Sequence, residues 1–273
     1  MMSSRAGVRR CCWVCSRRTT VSCSGLAAIP WSVGAQHYRR IVDAVERAIE
    51  RFTDTVQAAG SGMRLDVAAL CIAACAHPDL DVDAACARLD ALARACPTPT
   101  FDGLRVFLFE TKGFAGNVDD YGDPENAFLD TVIDRHRGIP ITLSVVMMEV
   151  GRRIGVPVYG VGMPGHFLTR DAEHDGVWCD PFHRGARYDA DGCRALFKRV
   201  HGSTAGFSRA LLQPTPPDRI LVRILTNLET GRLASDPGAL TWMCRLHLAL
   251  PDLSPDERER LTLAWRAARA RWN

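Results

Sequence analysis

The hydrophobic period of this 273-residue chain changes from helical to strand-like near Gly155 and returns to helical from about residue 189, and that change limits the folds open to it. Before it, apolar residues recur at helical spacing, most strongly over 140–154, where a proline suits the first helical turn. After it come three short runs typical of strands, 156–163, 166–170 and 176–180. The pattern predicts an α+β fold that is mostly helical, in which a helix packs on a small antiparallel sheet flanked by helical N- and C-terminal regions.

Proline-rich stretches divide the chain into predicted segments. C96-P-T-P-T and Q213-P-T-P-P are typical of linkers. We interpret residues 1–36 as a disordered extension or a mis-assigned translation start. The other predicted segments are a helical region (37–96), a core (97–212) and a helical tail (213–273).

Periodicity and turn residues also predict the individual helices. Asn126 is expected to cap the helix that follows it, and 184–188 is expected to be a turn. Glycine-containing turns are expected at Gly60, Gly231 and S235-D-P-G. The predicted helices begin near His37 and continue at about 65–76, 82–95, 104–111, 127–134, 140–154 and 189–200, with three more in the tail.

Composition excludes several classes of function. The formal charge of +3 arises from residues 1–42, which hold seven arginines and no acidic residue, so acidic residues outnumber basic ones in the remainder. That balance gives no support for nucleic-acid binding. The longest apolar run, 67–76, is too short to cross a bilayer and is typical of a buried helix, so no membrane segment is expected.

The eleven cysteines have no regular spacing, and several lie on apolar helix faces. This is typical of small buried hydrophobes in a reducing environment, so a cytoplasmic protein is expected. The N-terminal stretch has instead the composition of a mitochondrial presequence. Cys12 and Cys15 have the spacing of half a metal site, but no second pair follows at zinc-like spacing.

His166 and Asp180 are the strongest candidates for chemistry. A hairpin that sets His166 opposite Asp180 and Leu168 opposite Trp178 would let the aspartate orient the imidazole toward the start of the preceding helix, as in a Cys-His-Asp triad. A slip of one residue would put the two on opposite faces. The alternative is a structural hydrogen bond that pins the hairpin.

Metal binding is the weaker interpretation of the same region. His166, His174, Cys179, Asp180 and His183 all offer ligand atoms, but no pair of them lies on a predicted helix with metal-ligand spacing. We therefore expect no metal and no cofactor.

Several motifs resemble a known family. They are R137-G-I-P, G155-V-P-V, P164-G-H-F-L and D180-P-F, together with G116-N-V-D-D-Y and N126-A-F-L-D. They are similar to the transglutaminase-like core of the bacterial SirB-one proteins, which also occurs in certain F-box proteins. The resemblance spans about 65–202 and implies a papain/transglutaminase-like core; the tail matches part of one tetratricopeptide-like repeat.

The resemblance implies a role for each matched residue. His166 falls at the catalytic histidine and Asp180 at the orienting acid, whereas Pro140 stands where the family has its cysteine. A thiolate there would gain from the helix dipole, but proline offers no nucleophile. The binding surface that the resemblance implies comprises Asn117, Asp119, Asp120, Tyr121, Gly165, Phe167, Trp178 and Phe182.

Three other side chains are candidates for a substitute nucleophile. Ser144 lies one turn along the same helix face as Pro140, about 6 Å deeper. Thr142 is rotated roughly 200° around the helix from Pro140. Cys179 faces away from His166 whenever Asp180 faces it, because neighbours on a strand alternate.

Three functions are therefore open. The first is a transglutaminase-like protein without its catalytic cysteine that binds an unknown peptide or protein partner in the old cleft, with the tail as an interaction surface. The second is an acyl-transfer enzyme or protease that uses His166 and Asp180 with Ser144 or Thr142. The third is a structural adaptor in which the His-Asp pair only stabilises the hairpin.

Overall fold

The structure, a computed structural model, describes residues 31–58, 62–230 and 236–272. The described residues from Ile41 onward belong to one compact unit. The predicted turns at Gly60, Gly231 and Ser235, and residues 1–30 of the predicted extension, lie outside the described residues. In the described ranges, no helix combines the length and the apolar character needed to cross a membrane. The division at residues 96 and 212 stays a prediction.

Helices make up most of the described chain, which confirms the mostly helical α+β prediction. A π-helical turn, Val106–Thr111, continues the fourth helix, and 3-10 turns occupy Pro124–Ala127 and Arg209–Leu212. The tail folds into three helices, as its punctuation predicts. The helices are α1 (Trp31–Gln57), α2 (Leu65–Ala76), α3 (Val82–Ala95), α4 (Phe101–Arg105), α5 (Leu129–Arg135), α6 (Pro140–Arg153), α7 (Ala190–His201), α8 (Pro217–Thr230), α9 (Pro237–Ala249) and α10 (Pro255–Trp272).

Two sheets accompany these helices. A parallel pair joins β1 (Ala115–Gly116) to β2 (Arg137–Gly138). An antiparallel sheet has the order β3-β4-β5-β6. Its strands are β3 (Val158–Val161), β4 (Leu168–Asp171), β5 (Trp178–Asp180) and β6 (Ala186–Tyr188). The sequence predicts the first three of these four. The turn expected at 184–188 is confirmed for Arg184 and Gly185 only, because Ala186–Tyr188 form a short edge strand.

The predicted register of the hairpin between β4 and β5 is also wrong. The observed pairs are Thr169 with Cys179 and Arg170 with Trp178, so the strands are shifted by two residues from the prediction. The backbone of His166 lies before β4 and therefore has no partner residue in the ladder between β4 and β5. Because the side-chain period of a strand is two, a shift of two residues keeps each side chain on its predicted face.

Two helix starts differ from prediction. The first helix begins at Trp31 rather than near His37, so the boundary expected at residue 36 falls inside α1. Asn126 does not cap α5, because it lies within the preceding 3-10 turn and the helix begins only at Leu129. Its side chain donates to the carbonyls of Asp120 and Tyr121 instead.

The antiparallel sheet lies between two hydrophobic clusters. Phe167 and Cys179 belong to the large cluster, which includes the buried faces of α2, α6 and α8. Leu168 and Trp178 belong to a smaller cluster that includes the buried face of α7. The alternation of adjacent residues between the two clusters follows from the strand pleat, and it makes the sheet the middle layer between α6 and α7.

Candidate functional site

A tight turn places His166 immediately before β4. Gly165 has φ +70°, and a Cβ there would lie 2.6 Å from a methyl carbon of Val200, so both the backbone and the available space require glycine. The amide of His166 donates to the carbonyl of Met163 at 3.0 Å. The turn therefore fixes the backbone from which a side chain only 7% exposed extends.

The imidazole of His166 is held by Asp180. Its Nε2 donates to Asp180 Oδ2 at 2.8 Å, and the carboxylate is fully buried at the end of β5. Asp180 Oδ2 also accepts from His183 Nδ1 at 2.7 Å. Asp180 Oδ1 accepts from the backbone amides of Phe182 and His183 at 3.0 and 3.2 Å. One carboxylate thus orients two imidazoles.

Electrostatics keep this carboxylate ionised. Burial by itself would raise the pKa of Asp180, but the hydrogen bonds from His166 and His183 outweigh it and lower the pKa to about 2. The hydrogen bond to Asp180 in turn raises the pKa of His183. Because an ionised carboxylate only accepts hydrogen bonds, His166 must carry a proton on Nε2. Its Nδ1 makes no hydrogen bond with any described residue.

Strand β1 links this pair to the start of α6. The amide of Gly116 donates to the carbonyl of Phe182 at 2.8 Å, and the amide of Asn117 donates to the carbonyl of Gly138 at 3.0 Å. Gly138 is two residues before Pro140, and Phe182 is two residues after Asp180. Gly116 therefore binds the loop after Asp180, and its neighbour Asn117 binds the segment just before α6.

None of the three substitute nucleophiles is hydrogen-bonded to His166. Ser144 Oγ donates to the carbonyl of Pro140 at 2.8 Å, and Thr142 Oγ1 donates to the carbonyl of Asn126 at 2.6 Å. Burial raises the pKa of the Cys179 thiol to about 12, and its side chain lies in the large hydrophobic cluster. Both hydroxyl protons are thus directed at backbone carbonyls, and the thiol stays neutral at physiological pH.

Two aromatic side chains, the exposed Tyr121 and the half-buried Phe182, form a rim beside His166. The ring of Phe182 lies 6.3 Å from that of His166 and 5.6 Å from that of Tyr121, each in an edge-to-face arrangement. Tyr121 is 55% exposed and Val118 is 71% exposed. Large exposed apolar side chains next to a buried polar pair are typical of a binding surface.

The loop that carries Tyr121 is organised by two asparagines. Asn117 Nδ2 donates to Asn126 Oδ1 at 2.9 Å, and Asn117 Oδ1 accepts from the amide of Asp120. Asn126 Nδ2 donates to the carbonyls of Asp120 and Tyr121. Of the residues predicted for the binding surface, Asn117 and Asp120 therefore build the rim, and Asp119 is exposed on it.

Other residues predicted for the binding surface lie away from the rim. Phe167 is 1% exposed in the large cluster, and Trp178 is 6% exposed in the small one, on the opposite side of the sheet. Gly165 shapes the turn before His166. We therefore restrict the candidate binding surface to the loop from Asn117 to Tyr121 and to Phe182.

Two contributors to the site were not predicted from the sequence, and a third was predicted only in another role. Arg223 of α8 donates to the carbonyls of Met163 and His166, at 3.0 and 2.7 Å. Thr215 accepts from the amide of Gly162 at 2.7 Å. His183 had been considered only as a metal ligand. Its position three residues after Asp180, which allows a side chain to turn back on that residue, was the available signal, whereas nothing in the sequence connects Arg223 to His166.

A buried His-Asp pair, with the histidine ahead of one strand and the aspartate at the end of the next, is an arrangement that cysteine transferases and proteases also use. The comparison with protein families agrees. The family described as the transglutaminase-like superfamily matches residues 73–226. The chain belongs to the transglutaminase-like superfamily.

Similar proteins occur in bacteria and in mammals. A UPF0162 protein of Xylella fastidiosa is 44% identical over 128 residues, 45% of this chain and 46% of the relative. A UPF0162 protein of Pseudomonas aeruginosa is 35% identical over 136 residues, 50% of this chain and 49% of the relative. F-box only protein 21 of Mus musculus is 31% identical over 104 residues, 35% of this chain and 17% of the relative. The chain spans about half the length of the bacterial relatives, and no solved structure gives a significant match.

Proposed function

We propose that this protein binds a peptide segment of a partner protein in the cleft of a transglutaminase-like core that has lost its nucleophile. One observation carries the proposal. His166 and Asp180 share a buried hydrogen bond, and the hydroxyls of the two candidate substitute nucleophiles, Ser144 and Thr142, donate to backbone carbonyls. The family resemblance assigns the nucleophile position to Pro140. The orientation of a triad is preserved without a group for the imidazole to activate.

The rim supports binding of an extended chain. Tyr121 and Phe182 form an aromatic pair above His166, and exposed aromatic side chains contribute strongly to peptide affinity. The unpartnered Nδ1 of His166 offers one polar contact to a peptide group. A partly apolar rim around a buried polar pair therefore supplies both affinity and orientation.

The tail supports the proposal in a second way. Arg223 and Thr215 hold the backbone around Gly162 and His166, so the tail helps to position the histidine. We further propose that the protein is related to the SirB-one group, and that α9 and α10 provide the tetratricopeptide-like interaction surface. The described cysteines are free, which supports a reducing, cytoplasmic setting.

Peptide selection tests this function directly. Peptides from a random displayed library are selected on the full chain, and their affinities are measured for the parent, for Tyr121→Ala and for Tyr159→Ala. Tyr159 is the matched control because it is 43% exposed on β3, where its ring lies under Arg170. We expect Tyr121→Ala to weaken binding at least about tenfold, about 1.4 kcal/mol, and Tyr159→Ala to leave it unchanged.

The other two functions give different results in the same experiment. Mass spectrometry of the recovered peptides shows whether any has been cleaved or modified. Cleaved or cross-linked peptides would establish the acyl-transfer enzyme instead. Selected peptides whose affinity does not depend on Tyr121 would contradict a cleft-binding function and favour the structural adaptor.

A further inference from the structure

Three side chains at the site bring possible metal-ligand atoms close together. We propose that His166, Asp180 and His183 bind one divalent transition-metal ion with a preference for six ligands, such as Mn²⁺ or Fe²⁺. The ligand atoms that the three residues offer, a nitrogen of each histidine and a carboxylate oxygen, lie within 4.8 Å of one another. This inference goes beyond peptide binding and does not depend on it.

The ligand set has the composition of a known type of metal site. Two imidazoles and one carboxylate on one face of an ion leave the opposite positions open, as in mononuclear iron and manganese centres. No cysteine takes part, so soft, thiolate-preferring ions gain nothing there. The sequence offers these three among five candidate ligands, and the fold selects them, because His166 comes from the turn before β4 while Asp180 ends β5 and His183 follows it.

The distances favour octahedral over tetrahedral coordination. Asp180 Oδ2 lies 2.8 Å from His166 Nε2 and 2.7 Å from His183 Nδ1. Two ligands about 2.1 Å from an ion are about 3.0 Å apart at an octahedral right angle and about 3.4 Å apart at the tetrahedral angle. The two nitrogen–oxygen distances therefore need a smaller change for an octahedral ion than for a tetrahedral zinc site.

The surroundings fix the carboxylate and leave access to the ion. Asp180 Oδ1 is held by two backbone amides, so Oδ2 is oriented before any ion arrives. The Asp180 side chain is fully buried, whereas that of His183 is 44% exposed. Solvent therefore reaches the site on the His183 side, where water or a ligand group would complete the coordination.

Metal binding would move the proton of each imidazole from one ring nitrogen to the other. Without an ion, His166 Nε2 and His183 Nδ1 each donate a proton to Asp180 Oδ2. With an ion, each neutral imidazole binds through that nitrogen and carries its proton on the other one. Neither of those other nitrogens has a hydrogen-bond partner among the described residues, so both are free to take the proton. His166 Nδ1 then becomes a donor to the cleft and no longer a base.

Manganese binding tests the proposal. The full chain, kept reduced, is titrated with Mn²⁺ while electron paramagnetic resonance measures the free ion; Mn²⁺ prefers nitrogen and oxygen ligands, so the many cysteines compete little. His183→Ala is compared with His174→Ala, a histidine that is 78% exposed and pairs with Asp171 instead. We expect one bound Mn²⁺ in the parent and in His174→Ala, and at least about tenfold weaker binding in His183→Ala.

Two results would overturn this inference. One is a parent protein that shows no saturable Mn²⁺ binding up to millimolar concentration. The other is equal binding by the parent and His183→Ala, which would place the ion elsewhere on the chain. Thermal melting of each variant shows that both remain folded, and a second variant, His166→Gln, must weaken binding as well. None of these outcomes bears on peptide binding, which is measured separately.

Discussion

His166 donates to Asp180 across 2.8 Å, from a turn before one strand to the buried end of the next. Strand β1 connects the loop that follows Asp180 to the start of α6, where Pro140 offers no nucleophilic atom. Under the proposed function, the pair orients a bound peptide, and the cost of burying the carboxylate is retained for that use.

Asp180 should contribute strongly to stability. It accepts four hydrogen bonds while fully buried, and Asp180→Asn replaces a charged acceptor by a neutral one with a donor group facing other donors. We expect a loss of about 2–4 kcal/mol in the free energy of unfolding, measured by urea titration. Asp171→Asn serves as the control, because that residue pairs with the exposed His174; a loss as large there would contradict a special role for Asp180.

Gly116 should be required for the link between α6 and the Asp180 loop. A Cβ at this position would lie 2.3 Å from a ring carbon of Phe182, so Gly116→Ala must displace that ring. We expect a destabilisation of about 1–3 kcal/mol together with weaker peptide binding. Gly206→Ala is the matched control, because a Cβ there meets nothing within 4 Å. Equal melting temperatures for the two variants would show that the Phe182 ring can move aside without a loss of stability.

Deprotonation of His77 at alkaline pH should lower the free energy of unfolding. Burial alone would lower its pKa, but hydrogen bonds to Asp130 and Glu125 outweigh it and raise the pKa to about 9 from the ordinary 6.5. Because the folded pKa is the higher one, the stabilisation is complete below pH 6.5 and is lost as pH rises through about 9. It amounts to at most about 3 kcal/mol. Urea titrations at several pH values should show this loss in the parent and a smaller one in His77→Gln; identical profiles would contradict it.

Arg223 should couple the tail to the histidine. Its guanidinium donates to the carbonyls of Met163 and His166 and lies over the ring of Phe167. We expect Arg223→Ala to lower stability by about 1–3 kcal/mol and to broaden the nuclear magnetic resonance signal of the His166 ring. Arg219→Ala, on the same helix but directed toward Asp218 and Asp252, should do neither. An unchanged His166 signal in Arg223→Ala would show that the tail does not position the histidine.

Helices with a regular hydrophobic pattern were predictable from the sequence. The bounds of α2 and α3 were predicted to the residue, because dense apolar runs and an aspartate cap leave few alternatives. The two-residue strands β1 and β2 carry no periodic pattern and were missed. The hairpin register was wrong because the Pro164–Gly165 turn ends two residues before β4 begins, a detail of backbone geometry that alternation does not show.

The site was predictable in part for the same reason. His166 and Asp180 come from short motifs whose residue types already suggest their chemistry. The contribution of Arg223 depends on how α8 packs against the turn before β4, a contact between segments 57 residues apart. Contacts of that kind are set by the packing of the whole core, and no local pattern specifies them.

The most direct test of the proposed loss of a nucleophile places a cysteine thiol at position 140. In Pro140→Cys, the thiol would stand at the start of α6, where the helix dipole and His166 both favour a thiolate. Alkylation of Cys at this position by iodoacetamide is measured across pH by mass spectrometry of its own peptide, with and without His166→Ala. We predict a thiol pKa clearly below the ordinary value of about 8.5, and a return toward that value when His166 is removed. An ordinary pKa that does not respond to His166 would show that Pro140 is not the position of a lost nucleophile.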